Sequence, residues 1–335
     1  MLVRTVIALV IATLSQGWSG AVACAADQVP RLVLEKAIPL DDVSGRIDHV
    51  AVDLKRDHLA VAELGNDTVD LIDLSTARVV HRIGGLHKPQ GIAFVPSADL
   101  LAVANAGDGA VEFFRASDFS PLGGIDLGGD ADNVRVDNGT GHLVVGYGDG
   151  GLAIIDPTTR SKLADIALQA HPEGFQLGLD GSRAFVNVPD ARQIAAVDLI
   201  SGKQTATWRV PDLESNFPMA LDSQGRTLAI AFRGPARLAL LDAASGAVIA
   251  SVETCGDADD VFFDDRRRKI YVVCGAGAVD VFDRNNGGLR RIAQVETAPG
   301  ARTGLFVPEL DRLFVASRAA SPGTGAKVLV FRPSP

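Results

Sequence analysis

Leu59-Ala60-Val61-Ala62, Leu101-Ala102-Val103-Ala104, Leu143-Val144-Val145-Gly146 and Leu228-Ala229-Ile230-Ala231 are four versions of one short phrase. Ala184-Phe185-Val186-Asn187, Ile270-Tyr271-Val272-Val273 and Leu313-Phe314-Val315-Ala316 are three more. Each is too short and too rich in β-branched residues for a helix, and each reads as a buried strand. Ahead of each phrase another apolar run begins, at Val50, Ile92, Val134, Phe175, Met219, Val261 and Leu305. The interval between these starts is about 42 residues, the period of a four-stranded propeller blade. Third strands end at Asp73, Arg115, Asp156, Asp198, Asp242 and Asp283. Three of these aspartates lead into Ser201-Gly202, Ser245-Gly246 and Asn286-Gly287, where a carboxylate can cap its own turn. That places them in the scaffold rather than in chemistry.

Seven such units predict an all-β, seven-bladed β-propeller. One blade alone has two unburied faces, so the ring must close to be stable. The last unit supplies strands near Leu305, Leu313 and Val328 and then the chain ends, one strand short of a blade. Leu32–Ile38, ahead of the first repeat, has no partner of its own. It is predicted to complete the last blade and remove the open sheet edge. Aromatics make up only 5% of the chain, so the core must be mostly Val, Leu, Ile and Ala.

The repeats resemble the YVTN-type propeller repeats of bacterial exported proteins. Tyr271-Val272-Val273-Cys274 stands where that motif falls, and Ala102-Val103-Ala104-Asn105 is a second version. Gly65-Asn66-Asp67-Thr68-Val69 and Gly107-Asp108-Gly109-Ala110-Val111 continue the pattern. The resemblance covers nearly all of residues 27–335. It implies the fold and an exported location, and it leaves function open, since similar blades serve binding proteins, lactonases and lyases.

Residues 1–26 read as a signal peptide: Arg4, then the apolar run Val6–Leu14, then small residues at Ala21, Ala23, Ala25 and Ala26. The mature domain is then 27–335, periplasmic or secreted. Ala21-Val22-Ala23-Cys24 resembles a lipobox, in which Cys24 would be acylated. Ala21 stands where Leu is usual, so plain export is the preferred reading. No later stretch is long and apolar enough to be a membrane helix. The net charge of −9 argues against a nucleic-acid partner, which calls for a basic face. In an oxidising compartment Cys255 and Cys274 are expected to pair. The alternative is two buried free thiols.

In a propeller the loops entering each first strand gather around one channel mouth, so sites are read as rings. Two positions before the first strands stand Asp48, Gln90, Asp132, Glu173, Phe217, Asp259 and Thr303. His49, Asn133 and Asp260 follow immediately in three repeats, with Gly or Pro in the other four. Carboxylates crowded at one mouth repel, and a cation or basic ligand relieves that. The expectation is a divalent cation such as calcium or magnesium at Asp48, Asp132, Glu173 and Asp259. A small polar ligand would be held by Asp48, Gln90, Asp132, Asn133, Asp259 and Asp260. Asn105 and Tyr147, in the ring after the second strands, would add to that pocket.

The leading functional expectation is an exported propeller binding a small polar ligand, a cation or an exported protein partner. The alternative is a metal-assisted lactonase or lyase with His171, Glu173 or His49 as catalytic base. A third is an accessory role in an exported redox system, without covalent haem, since no Cys-x-x-Cys-His is present.

Overall fold

Seven four-stranded antiparallel sheets surround a central channel, and the innermost strands of neighbouring sheets touch all the way round, blade 7 meeting blade 1. The computed structural model describes residues 32–284, 288–319 and 325–334. The expected signal peptide, the lipobox cysteine Cys24 and the Asn286-Gly287 turn lie outside these residues. Blade 7 is Gly304–Val307, Arg312–Ser317 and Ala326–Pro333, completed by Leu32–Leu40 from the other end of the chain. Leu32 is paired with Pro333 and Leu40 with Ala326. Ile38 and Leu40 are buried against Val50, Leu59, Phe314 and Val328, so the closing strand also helps weld blade 7 to blade 1.

The core is a set of apolar layers between blades, because alternate residues of each strand face the blades on either side. Tyr271, in the YVTN-like phrase, shows what that position does. Its ring meets Phe306 of the next blade edge-on at 5.3 Å, and its hydroxyl donates to Asp264 at 2.7 Å. Asp264 also accepts from Arg267, which reaches across to Asp311 of blade 7 at 2.6 and 2.7 Å. Arg56 does the same between Asp53 of blade 1 and Asp99 of blade 2. The strand-ending aspartates cap turns as expected: Asp198 accepts from the Ser201 N–H at 2.7 Å and Asp242 from that of Ser245 at 2.8 Å. Cys255 and Cys274 are disulfide-bonded within blade 6.

Four of the inner strands begin three to five residues earlier than the apolar runs indicate, at Pro89, Ala131, Glu214 and Ala258. Each carries a register shift just before the apolar run, between Pro89 and Ile92, Ala131 and Val134, Asn216 and Met219, and Ala258 and Asp260. The polar residues ahead of the run sit in bulges, not in loops. A bulge bends the strand and re-aims its side chains, here into the channel.

Candidate functional site

The inner-strand bulge of blade 3 sets Asp132 at the centre of the channel mouth. A glycine in the neighbouring blade makes this possible. A methyl group on Gly91 would lie 1.7 Å from the Asp132 carbonyl oxygen, so only glycine lets the two backbones approach this closely. The Asp132 carboxylate stands between two imidazoles. Its Oδ1 is 3.7 Å from His49 Nε2 and its Oδ2 is 3.8 Å from His171 Nε2. Asp48 Oδ1 is 3.7 Å from the same His49 nitrogen. Glu173 completes a second group with Asp132 and His171, and the ligand-type atoms within each group lie within 4.8 Å of one another.

These spacings are too long for hydrogen bonds. They suit atoms arranged around an ion, since ligands of a tetrahedral metal at roughly 2.0–2.1 Å stand about 3.3 Å apart. His171 Nδ1 is 2.6 Å from the Gly148 carbonyl oxygen. A carbonyl only accepts, so Nδ1 carries a proton, and it is Nε2 that faces Asp132 and would become the metal-binding nitrogen once it gives up its own proton. Asn133 is 2% exposed, and its Oδ1 has no hydrogen-bond partner among the described residues. The chamber these residues enclose measures about 30 Å³. That is room for one ion or water, so an organic ligand would have to lie above it in the open mouth.

Electrostatics follows from crowding. Burial opposes the charged imidazole of His49, but the facing Asp132 and the charge of Asp48 carry it up to about 9. His171 also rises to about 9, against its burial, through Asp132 and the Gly148 carbonyl. Burial works to raise Asp132, but the two imidazoles hold it well below the usual carboxylate range. Burial, with the charge of Asp132 added, pushes Glu173 up to about 7. Burial likewise lifts Asp260 to about 7 and Asp259 to about 6, the latter despite Arg233 beside it.

The mouth is not acidic all round. Arg46 pairs with Asp48 at 2.7 Å and stays 43% exposed above the centre. On the blade 6 side Asp259 is ion-paired with Arg233, and Arg302 lies 3.8 Å away. Arg233 also rests on the Phe217 ring, 3.8 Å from its centroid. The sequence marks none of these arginines as ligand-binding. Arg233 and Arg302 fall beside, not on, the positions at which repeats were compared.

Of the residues predicted for the site, Asp48, His49, Asp132, Asn133, Glu173, Asp259 and Asp260 line the chamber and His171 flanks it. Gln90, Asn105 and Tyr147 do not line it. Asn105 is buried, accepting from the His87 N–H at 3.2 Å and donating to the Ala110 carbonyl at 3.3 Å. The Tyr147 hydroxyl donates to Asp165 of the blade's outer strand at 2.6 Å.

No protein-family model and no curated protein matches the chain. Solved structures do. Hydrazine synthase of Kuenenia stuttgartiensis matches 86% of this chain and 96% of its own, with a TM-score of 0.75 and 15% identity. A chain of a mitotic checkpoint complex matches 98% of each, with a TM-score of 0.75 and 12% identity. At such identities the likeness concerns the fold, a seven-bladed β-propeller, which suits a binding protein or a propeller enzyme. Among the described residues no helix is long and apolar enough to cross a membrane.

Proposed function

We propose that this chain is an exported propeller of the YVTN-repeat type whose mouth binds a first-row divalent cation and, over it, a small anionic ligand. One observation carries the reading: a buried carboxylate between two imidazole nitrogens, beside a buried Asn133 oxygen without a partner among the described residues. Imidazole donors favour zinc or a similar metal over the calcium or magnesium expected from carboxylates alone. Arg46, Arg233 and Arg302 supply positive charge around the rim, which suits a carboxylate- or phosphate-bearing ligand. Export is supported by the first 26 residues and by the disulfide. Calorimetric titration of the purified chain with zinc, manganese, calcium and magnesium tests the site. Saturable 1:1 binding of a first-row metal is expected, and the absence of binding by all four would sink the reading.

A second reading, a metal-assisted lactonase or lyase, is favoured by Glu173. A carboxyl that titrates near 7 beside a metal site is matched to proton transfer at neutral pH. A bound cation would polarise a substrate carbonyl. His171 and His49 would then serve as ligands rather than bases. A lactone panel run with the metal, with chelator, and with Glu173→Gln separates the two readings. Turnover that Glu173→Gln abolishes without losing the metal would make the protein an enzyme. A protein partner is the third occupant the fold suits, and one matched structure is itself a complex.

A further inference from the structure

Beneath the mouth the channel is crossed by Arg135, Met219 and Asp260, which line both the small upper chamber and a larger one opening on the opposite face. The lower chamber measures about 410 Å³, within the usual range for small-molecule sites. Much of its wall is apolar, including Leu221, Phe262, Phe263 and Phe306.

Arg135 stands at its inner end. Its Nε donates to the Phe175 carbonyl at 3.2 Å and its Nη1 to the Val134 carbonyl at 2.9 Å. Among the described residues no carboxylate lies within ion-pairing distance, and Nη2 has no hydrogen-bond acceptor. The carboxylates nearby are already engaged. Asp264 and Asp311 hold Arg267, Asp265 holds Arg284, and Asp260 accepts from the Gly304 N–H at 2.7 Å. Arg135 is half-buried and lies over the Phe175 ring, 5.4 Å from its centroid, so its free edge faces the chamber with no counter-ion in contact among the described residues, and a bound anion would pair with it there.

We propose that this lower chamber is a second binding site, separated from the metal site by the shared residues Arg135, Met219 and Asp260, for a small organic anion with its carboxylate on Arg135 and its apolar body against Phe262, Phe263 and Phe306. The ligand class follows from the lining. A planar guanidinium recognises a carboxylate in two-point contact, and the aromatic wall rewards an apolar tail.

Titration with benzoate and with its neutral isostere benzamide, followed by protein NMR, tests the site. Benzoate is expected to bind at least about tenfold more tightly than benzamide, a preference that charge-assisted hydrogen bonding supplies. Arg135→Gln should erase that preference. Ser223→Trp, on the exposed rim, should block both probes without touching the channel interior. Equal binding of the two probes, no binding of benzoate, or benzoate binding unchanged in either variant would overturn the proposal. Zinc binding at the upper mouth is measured on the same variants, so failure of one site is distinguishable from failure of the other.

Discussion

Asp132 and Asp259 fill the same place in two inner-strand bulges of nearly the same sequence, Gly129-Asp130-Ala131-Asp132-Asn133-Val134 and Gly256-Asp257-Ala258-Asp259-Asp260-Val261, yet they meet opposite partners. Asp132 stands between His49 and His171, while Asp259 is held by Arg233 and Arg302. The mouth is thereby polarised into a carboxylate–imidazole side, where the proposed metal would sit, and a guanidinium side, where the proposed anion would sit. Asp132→Asn should weaken zinc binding at least as much as the roughly 10–100-fold lost with outer-shell partners of metal sites. Asp259→Asn should leave zinc affinity within a few-fold. Competition calorimetry reads both, and equal losses would contradict this division.

Gly91→Ala places a methyl group where the Asp132 carbonyl stands. Blade 3 must shift away from blade 2. A loss of about 1–3 kcal/mol is expected from overpacking. Denaturant unfolding measures it, and zinc titration of the folded fraction should show weakened binding as well.

Stability of the metal-free protein should fall as pH rises from about 4 to 9. Glu173, Asp259 and Asp260 have folded pKa values raised to about 7, 6 and 7, so the stability tied to their protonated forms is present in acid and lost through those values. His49 and His171, raised to about 9, contribute stability that is complete below pH 6.5 and lost as pH passes 9. All five act in one direction, because the folded state binds more protons than the unfolded one. Asp132, held low, acts in the opposite sense, but its contribution changes only below about pH 4. A tenfold change in proton affinity is worth about 1.4 kcal/mol, so the slope is measurable by melting temperature. Zinc competes with those protons, and its stabilisation should grow with pH.

Reducing the Cys255–Cys274 bond, or replacing both residues with Ser, should cost about 3 kcal/mol by loss of loop constraint. The intact protein should gain two mass units on reduction before alkylation. A mass unchanged by reductant would remove the bond.

The repeat was legible because blade packing demands apolar strands at a fixed interval, and closure was legible because Leu32–Ile38 had no other use. The carboxylate and histidine side of the mouth followed from reading rings rather than linear motifs. What escaped were features that no interval marks. Polar bulge residues such as Asp132 and Asn133 read as loop because hydrophobicity marks where an apolar face begins, not where pairing begins. Arg233 lies one residue past Phe232, which follows Leu228-Ala229-Ile230-Ala231 of blade 5 as Asn105 and Tyr147 follow the same phrase in their blades, and its role depends on a cross-blade approach to Asp259. Tyr147 sits at a ring position, but its hydroxyl reaches outward to Asp165, a direction that position alone does not specify.

The pairing of Leu32–Leu40 with Ala326–Pro333 also sets an order in time. A chain that emerges first residue first makes Leu32–Leu40 before any blade is complete and Ala326–Pro333 only after the first six. Six blades can assemble while the seventh waits for its final partner. The native circle therefore cannot lock before Ala326–Pro333 is free, and a chain cut short ahead of Ala326 should be held open for proteolysis.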